Sequence, residues 1–195
     1  MKKLLSSLIL MLSLIFFIGG SQVAFANEGV DEEIGVQAVP SGLKYPGTNV
    51  TVKAGDVLYS SKGKNTNLVG HIGIVDDNGS VVHMMTGGMK RQSVANFAKE
   101  FTFSVYTPRS TTVGKDAGKQ ARTMYNNYVS SATYTLATGL HGARTKQYCT
   151  KTVWQAYYYG ANRNLGGHPL TKVSLPPWQI VDTAYLTHAV SGVKN

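Results

Sequence analysis

The sequence of 195 residues holds a single cysteine, Cys149, so no intramolecular disulfide can staple the fold. It lacks metal-ligand spacing as well. His71, His83, His141, His168 and His188 are scattered, with few carboxylates beside them, and no metal is expected. There is no basic helix and no RNA-binding signature, which sets nucleic acid aside as a partner. Internal repeats and low-complexity tracts are absent, which excludes a repetitive scaffold. The longest apolar run, Leu4 to Ile18, falls short of the roughly 20 residues that span a bilayer. Acidic residues are scarce: ten stand against 19 Lys and Arg, a formal charge of +9.

What the first residues do contain reads as an export signal, with an uncleaved membrane anchor as the alternative. Met1-Lys2-Lys3 is a basic start, the apolar run follows, and Ala24-Phe25-Ala26 offers the small-x-small pattern of a signal-peptidase site. Residues 1–26 are therefore expected to be a signal peptide, giving a secreted or extracytoplasmic protein. Residues 27–51 lack periodicity, open acidic (Glu28, Asp31, Glu32, Glu33) and carry Pro40, Gly42, Pro46 and Gly47; they form an N-terminal tail wrapping onto the domain. From Lys44 onward 17 basic residues face six acidic ones. An exported domain of that charge meets polyanions such as anionic wall polymers or lipid headgroups. Nothing in the sequence specifies an oligomeric state.

Residues 52–195 make one domain. Short strands are expected at Asp56 to Ser60, Val69 to Val75, Ser80 to Met85 and Phe101 to Thr107. Helical spacing appears at Ser93 to Lys99, Asp116 to Val129, Tyr148 to Tyr159 and Pro176 to Tyr185. Strands first, flanked by helices, give an α+β fold.

Two places carry chemistry. One is Gly70-His71-Ile72-Gly73, continued through the turn Asp76-Asp77-Asn78-Gly79 to Val82-His83-Met84. Two histidines on adjacent strands are often ordinary satisfied residues, and register decides whether they cooperate. A two-residue loop pairs positions summing to 157 and sends the rings to opposite faces. A three-residue loop with left-handed Gly79 gives a sum of 156, sets His83 opposite Gly73, and puts both rings on one face. Gly79 suits the second. The other place is Gln147-Tyr148-Cys149-Thr150-Lys151-Thr152. A helix starting near Tyr148 puts Cys149 in its first turn, where the dipole favours thiolate. Cysteine at a helix start plus histidine on a strand suits papain-like nucleophilic catalysis, which needs no cofactor. The bland alternative is a cysteine packed under Trp154.

At these residues the sequence resembles a family. Gly55-Asp56-Val-Leu, Gly70-His71-Ile-Gly-Ile and Tyr148-Cys149-Thr150 are similar to the circularly permuted papain-like branch (YiiX-type) of the NlpC-type cysteine peptidase superfamily. The resemblance spans roughly Gly55 to Tyr185. It implies a permuted papain-like fold with an antiparallel sheet or barrel packed against helices. It also implies Cys149 as nucleophile, His71 as general base and His83 in the place of the third polar residue, often glutamate in this branch. A histidine there also resembles the lecithin:retinol-acyltransferase-like branch. Asp56 is read as holding a turn, and Tyr59 and Tyr148 as pocket candidates. The function so implied is an exported cysteine amidase or peptidase acting on small, cell-wall-type peptides. Two alternatives stand beside it. One is a thiol-based lipid acyltransferase or phospholipase, for which Met84, Met85 and Met89 offer apolar lining; the other is a non-catalytic wall-binding module.

Overall fold

A computed structural model of the chain describes residues 38–61, 69–181 and 183–195. The expected signal peptide and residues 27–37 of the tail lie outside them. Six strands form one antiparallel sheet: β1 (Val57–Ser60), β2 (His71–Val75), β3 (Ser80–Met85), β4 (Gly88–Ser93), β5 (Phe103–Pro108) and β8 (Leu186–Val193), in the order β4-β3-β2-β1-β5-β8. Helices α1 (Val94–Glu100), α2 (Thr111–Tyr128), α3 (Cys149–Gln155) and α4 (Trp178–Val181) accompany it, with β6 (Thr133–Tyr134) and β7 (Lys146–Gln147) as a small parallel pair. The fold is α+β, as the order of sequence signals implies.

Strand alternation sorts the core into two clusters, one per sheet face. Val57, Ile72, Ile74, Val82 and Met84 pack with α2, α3 and Leu175. Leu58, Val75, Val81 and Val105 pack with Val94, Phe97 and Ala98 of α1, and with Tyr45. β2 is buried along its whole length because both of its faces are covered. Residues 38–51 lie against the second face: Lys44 bridges Thr51, and Val39, Leu43 and Val50 pack on that cluster.

Several elements differ from the sequence expectation, each for a physical reason. β4 and β8 carry no hydrophobic alternation, β4 reading Gly-Met-Lys-Arg-Gln-Ser, because both are outer strands with one side open to solvent. α2 begins at Thr111, capped by the Ser110 hydroxyl, so Gly114 lies inside it rather than ahead of it. A Cβ on Gly114 would stand 2.6 Å from the Ala54 carbonyl oxygen, so glycine there is the condition for close packing. The helix begun at Cys149 changes to a π-helical turn at Ala156–Gly160. A Cβ on Gly160 would stand 2.5 Å from the Asp116 carbonyl oxygen, so that turn seats tightly on α2. The last helix is a single turn ending at Val181, and the chain re-enters the sheet at Leu186.

Candidate active site

The β2–β3 hairpin has the three-residue loop. Gly73 pairs with His83, Ile74 with Val82 and Val75 with Val81, and Gly79 has φ +83°. The Asp76 amide donates to the Ser80 carbonyl at 2.8 Å, and Asp76 Oδ1 accepts from the amides of Asn78 and Ser80. Arg91 on β4 holds the other Asp76 oxygen, while Arg122 of α2 grips Asp77 with two hydrogen bonds. The turn that sets the register is thus anchored from two sides.

That register puts both imidazoles on the α1 face. His71 Nε2 and His83 Nδ1 are 2.9 Å apart, a hydrogen bond between buried rings. Phe101 stacks on His71 with centroids 4.7 Å apart, and Phe97 meets His83 edge-on at 5.2 Å. Gly73 leaves the room, since a Cβ there would already touch Val81 and His83. Burial lowers the His71 pKa to about 4, with the Lys90 charge adding to the effect. His83 is pushed down to about 3 by burial, then by His71 and by Lys90, its partner across β3 and β4. Both rings are neutral at pH 7. When Nε2 of His71 is the donor in that bond, Nδ1 is the nitrogen left to take a proton. His83 Nε2 is buried without a partner, an arrangement that costs about 1–3 kcal/mol.

Cys149 arrives from the opposite face, on the helix that packs over Ile72 and Ile74. It follows Tyr148, the residue flanking the helix start, as the sequence suggests. The thiol meets the sheet at the start of β2. Val75 donates to Asp56 on the β1 side, so alternation turns the Ile72 amide toward β3, whose pairing with β2 begins only at Gly73. That amide, together with those of Cys149 and Thr150, points at Sγ, and the Thr150 hydroxyl lies 3.9 Å away. One peptide unit therefore separates the amide facing the thiol from the histidine. Among the described residues no hydrogen bond joins Sγ to either ring. Burial raises the Cys149 pKa, and the hydroxyl and amide contacts offset this only in part. Expected to favour thiolate through the helix dipole, the site instead rests as a neutral thiol: one short helix start does not outweigh nearly complete desolvation.

The remaining candidates separate. Tyr59 pairs with Ile72 and is partly buried against the cluster that holds Cys149. Tyr148 is buried, and its hydroxyl accepts the Leu175 amide at 3.2 Å, which ties the residue before Cys149 to the 170–175 segment. Tyr134, which the sequence did not single out, lies close enough to Cys149 for the thiolate charge to raise its pKa, after burial. It sits on a two-residue strand without periodicity, so no sequence signal marks it. Met84 and Met89 join the Cys149 cluster, whereas Met85 packs on the other face. Asp56 holds a turn: its Oδ2 accepts from the Tyr45 hydroxyl at 2.8 Å and the Lys53 amide at 2.9 Å. No group of three or more His, Cys, Asp or Glu converges among the described residues.

The chain has relatives in family and in fold. Residues 6–184 match the profile of a family described as "Lipoprotein N-acylation protein LnsA-like". An uncharacterized 30.3 kDa protein of Bacillus thuringiensis is 29% identical over 161 residues, covering 74% of this chain; the chain spans 58% of that relative's length. The crystal structure of metalloprotein YiiX from Escherichia coli O157:H7 superposes with a TM-score of 0.53 at 13% identity. It covers 72% of this chain and 98% of that one. The fold is the YiiX-type permuted papain-like fold.

Proposed function

Because the chain belongs to the lipoprotein N-acylation protein LnsA-like family, we propose that it is a cysteine-based acyltransferase. Cys149 takes an acyl group as a thioester and passes it to an amine. The observation that carries the mechanism is the 2.9 Å bond between His71 Nε2 and His83 Nδ1. With Nε2 as the donor, the bond fixes the His71 ring and leaves Nδ1 to accept a proton, on the residue whose peptide presents the Ile72 amide to the thiol.

In the first half-reaction the thiol proton must reach His71 Nδ1, which at rest lies on the other face of the sheet, as Sγ attacks the carbonyl of a lipid ester. The ester C–O bond breaks, and the leaving oxygen recovers the proton from His71. In the second, an amine attacks the thioester; His71 takes the amine proton and returns it to Sγ as the C–S bond breaks. The Cys149 amide is the natural donor to the carbonyl oxygen in both steps. A neutral resting pair suits this scheme, because the base is free and the proton moves with the attack. The methionines beside Cys149 fit an apolar chain.

The wall-peptide amidase implied by the sequence resemblance would form the same acyl-enzyme and give it to water; the family description weighs for the amine. Export after cleavage at Ala26 would put the reaction outside the cytoplasm, where lipid-anchored substrates are found.

The test is direct. The protein is incubated with phospholipid vesicles and a peptide bearing a lipidated N-terminal cysteine with a free α-amine. A hydroxylamine-sensitive mass increase on Cys149 and an N-acylated peptide are expected, and both should be lost in Cys149→Ala. Release of fatty acid, or cleavage of wall peptides, without N-acyl product would make the protein a hydrolase. A folded protein that never acylates Cys149 would leave the binding-module reading.

A further inference from the structure

We infer that the surface built by residues 134–141 and 168–178, beside the active-site thiol, docks on a bilayer containing anionic lipid. The two segments are laced together. Gly139 bridges Val173, the Leu140 amide donates to the Lys172 carbonyl, the His141 amide to the Leu170 carbonyl, and Ser174 Oγ to the Leu136 carbonyl. They connect to the active site at two points: Tyr134 stands beside Cys149, and the Leu175 amide holds the Tyr148 hydroxyl.

The outer side of this surface is apolar where solvent should favour polar groups. Leu136 is 46% exposed, Leu170 37%, Val173 50% and Trp178 47%, four of the seven large apolar residues exposed among those described. Single exposed apolar residues are ordinary, but a cluster on two joined loops marks an interaction site. A tryptophan at its edge suits the boundary between headgroups and acyl chains.

Charge chooses the occupant. Between Asp116 and Asp182 the sequence has no acidic residue; with Arg122 held by Asp77 and Lys151 buried, the cations left in that stretch are Lys119, Arg144, Lys146, Arg163 and Lys172. Lys172 and Lys146 are exposed on or next to the apolar surface. Apolar tips among unopposed cations match a layer of anionic headgroups over acyl chains. A hydrophilic wall polymer would satisfy the cations and leave the leucine, valine and tryptophan side chains in water. A docked bilayer would also bring an acyl donor to the thiol without full extraction from the membrane. The inference stands apart from the acyl-transfer reading, because docking is measured without turnover.

The two tryptophans provide the readout. Trp154 is fully buried and bonded to Asn164, so only Trp178 can sense a lipid surface. The full chain is mixed with phosphatidylcholine vesicles containing a quarter phosphatidylglycerol, with and without bromine on the acyl chains. Trp178 emission should shift to the blue and be quenched by the brominated lipid. Apparent affinity should be on the order of tenfold weaker for vesicles of phosphatidylcholine alone. Trp178→Phe should abolish the shift. Leu136→Ser with Val173→Ser should greatly reduce quenching while the thermal unfolding midpoint holds, since both side chains are exposed. Binding that leaves Trp178 emission unchanged would mean another surface, or the N-terminal apolar run, makes the contact, and would overturn the assignment. So would equal binding to a soluble anionic wall polymer with the same emission change. Docking without acyl transfer would refute the proposed chemistry and leave the surface standing.

Discussion

At the scale of single residues, the site is defined by what burial does to three titratable groups. His71 and His83 are held neutral, and Cys149 is held as a thiol. A preformed thiolate–imidazolium pair would keep the cysteine reactive well into acid; a neutral pair would not. The rate of alkylation of Cys149 by a small neutral reagent should therefore climb steadily from pH 6 to pH 9, with no acid plateau. A plateau extending below pH 6 would show that the ion pair dominates. His71→Ala should slow turnover by about 10²- to 10⁴-fold, the usual contribution of a positioned base. In the proposed mechanism His83 acts through His71, so its loss should cost less. His83→Ala is expected to lower kcat by about ten- to a hundredfold with KM little changed, as for other groups that orient a reacting imidazole. A matched rise in KM would place His83 against the substrate instead.

At the scale of elements, the hairpin was legible and the frame around it was not. Asp76 to Gly79 and two flanking β-rich runs were enough to derive the register, because side chains alternate strictly and a one-residue change in the loop reverses every face. The start of α3 was equally legible from Tyr148-Cys149. What the sequence concealed lay where packing overrides local pattern: a polar outer strand at Gly88–Ser93, the glycine inside α2, and the π-helical turn after Gln155. The approach of Cys149 from the face opposite the imidazoles was also hidden, since no local signal reports which side of a sheet a distant helix covers. The register argument yields its own prediction. Gly79 sits at φ +83°, and a Cβ there would come within 3.0 Å of Leu43. Gly79→Ala should destabilise the protein by about 1–2 kcal/mol, the cost of a left-handed L-residue. Chemical denaturation would measure it. A neutral effect would mean that the loop relaxes without this glycine.

At the scale of the whole molecule, buried titratable groups on different elements pull stability in opposite directions with pH. Asp56, in the turn before β1, is raised to about 6 by burial, against hydrogen bonds that lower it. Unfolded, an aspartate titrates near 3.9, so between about pH 4 and 6 the folded chain holds a proton that the unfolded chain has released. Stability from Asp56 is complete below about pH 4 and is lost as the pH rises through 6. The histidines do the reverse. Their folded values lie near 4 and 3, below about 6.5 when unfolded. Stability from them is complete above about pH 6.5 and is lost as the pH falls toward 4. Two histidines against one aspartate leave a net gain with rising pH, worth about one proton per chain through this window. The unfolding free energy should therefore increase from pH 4 to 6.5 and then flatten. Asp56→Asn removes the opposing group and should steepen the rise to about two protons, whereas His83→Gln should bring it close to zero. Denaturation midpoints at half-unit pH steps for the three proteins would give these slopes. An unchanged slope in His83→Gln would mean that His83 is not held neutral in the folded state, and the base-orienting role assigned to it would fall with that result.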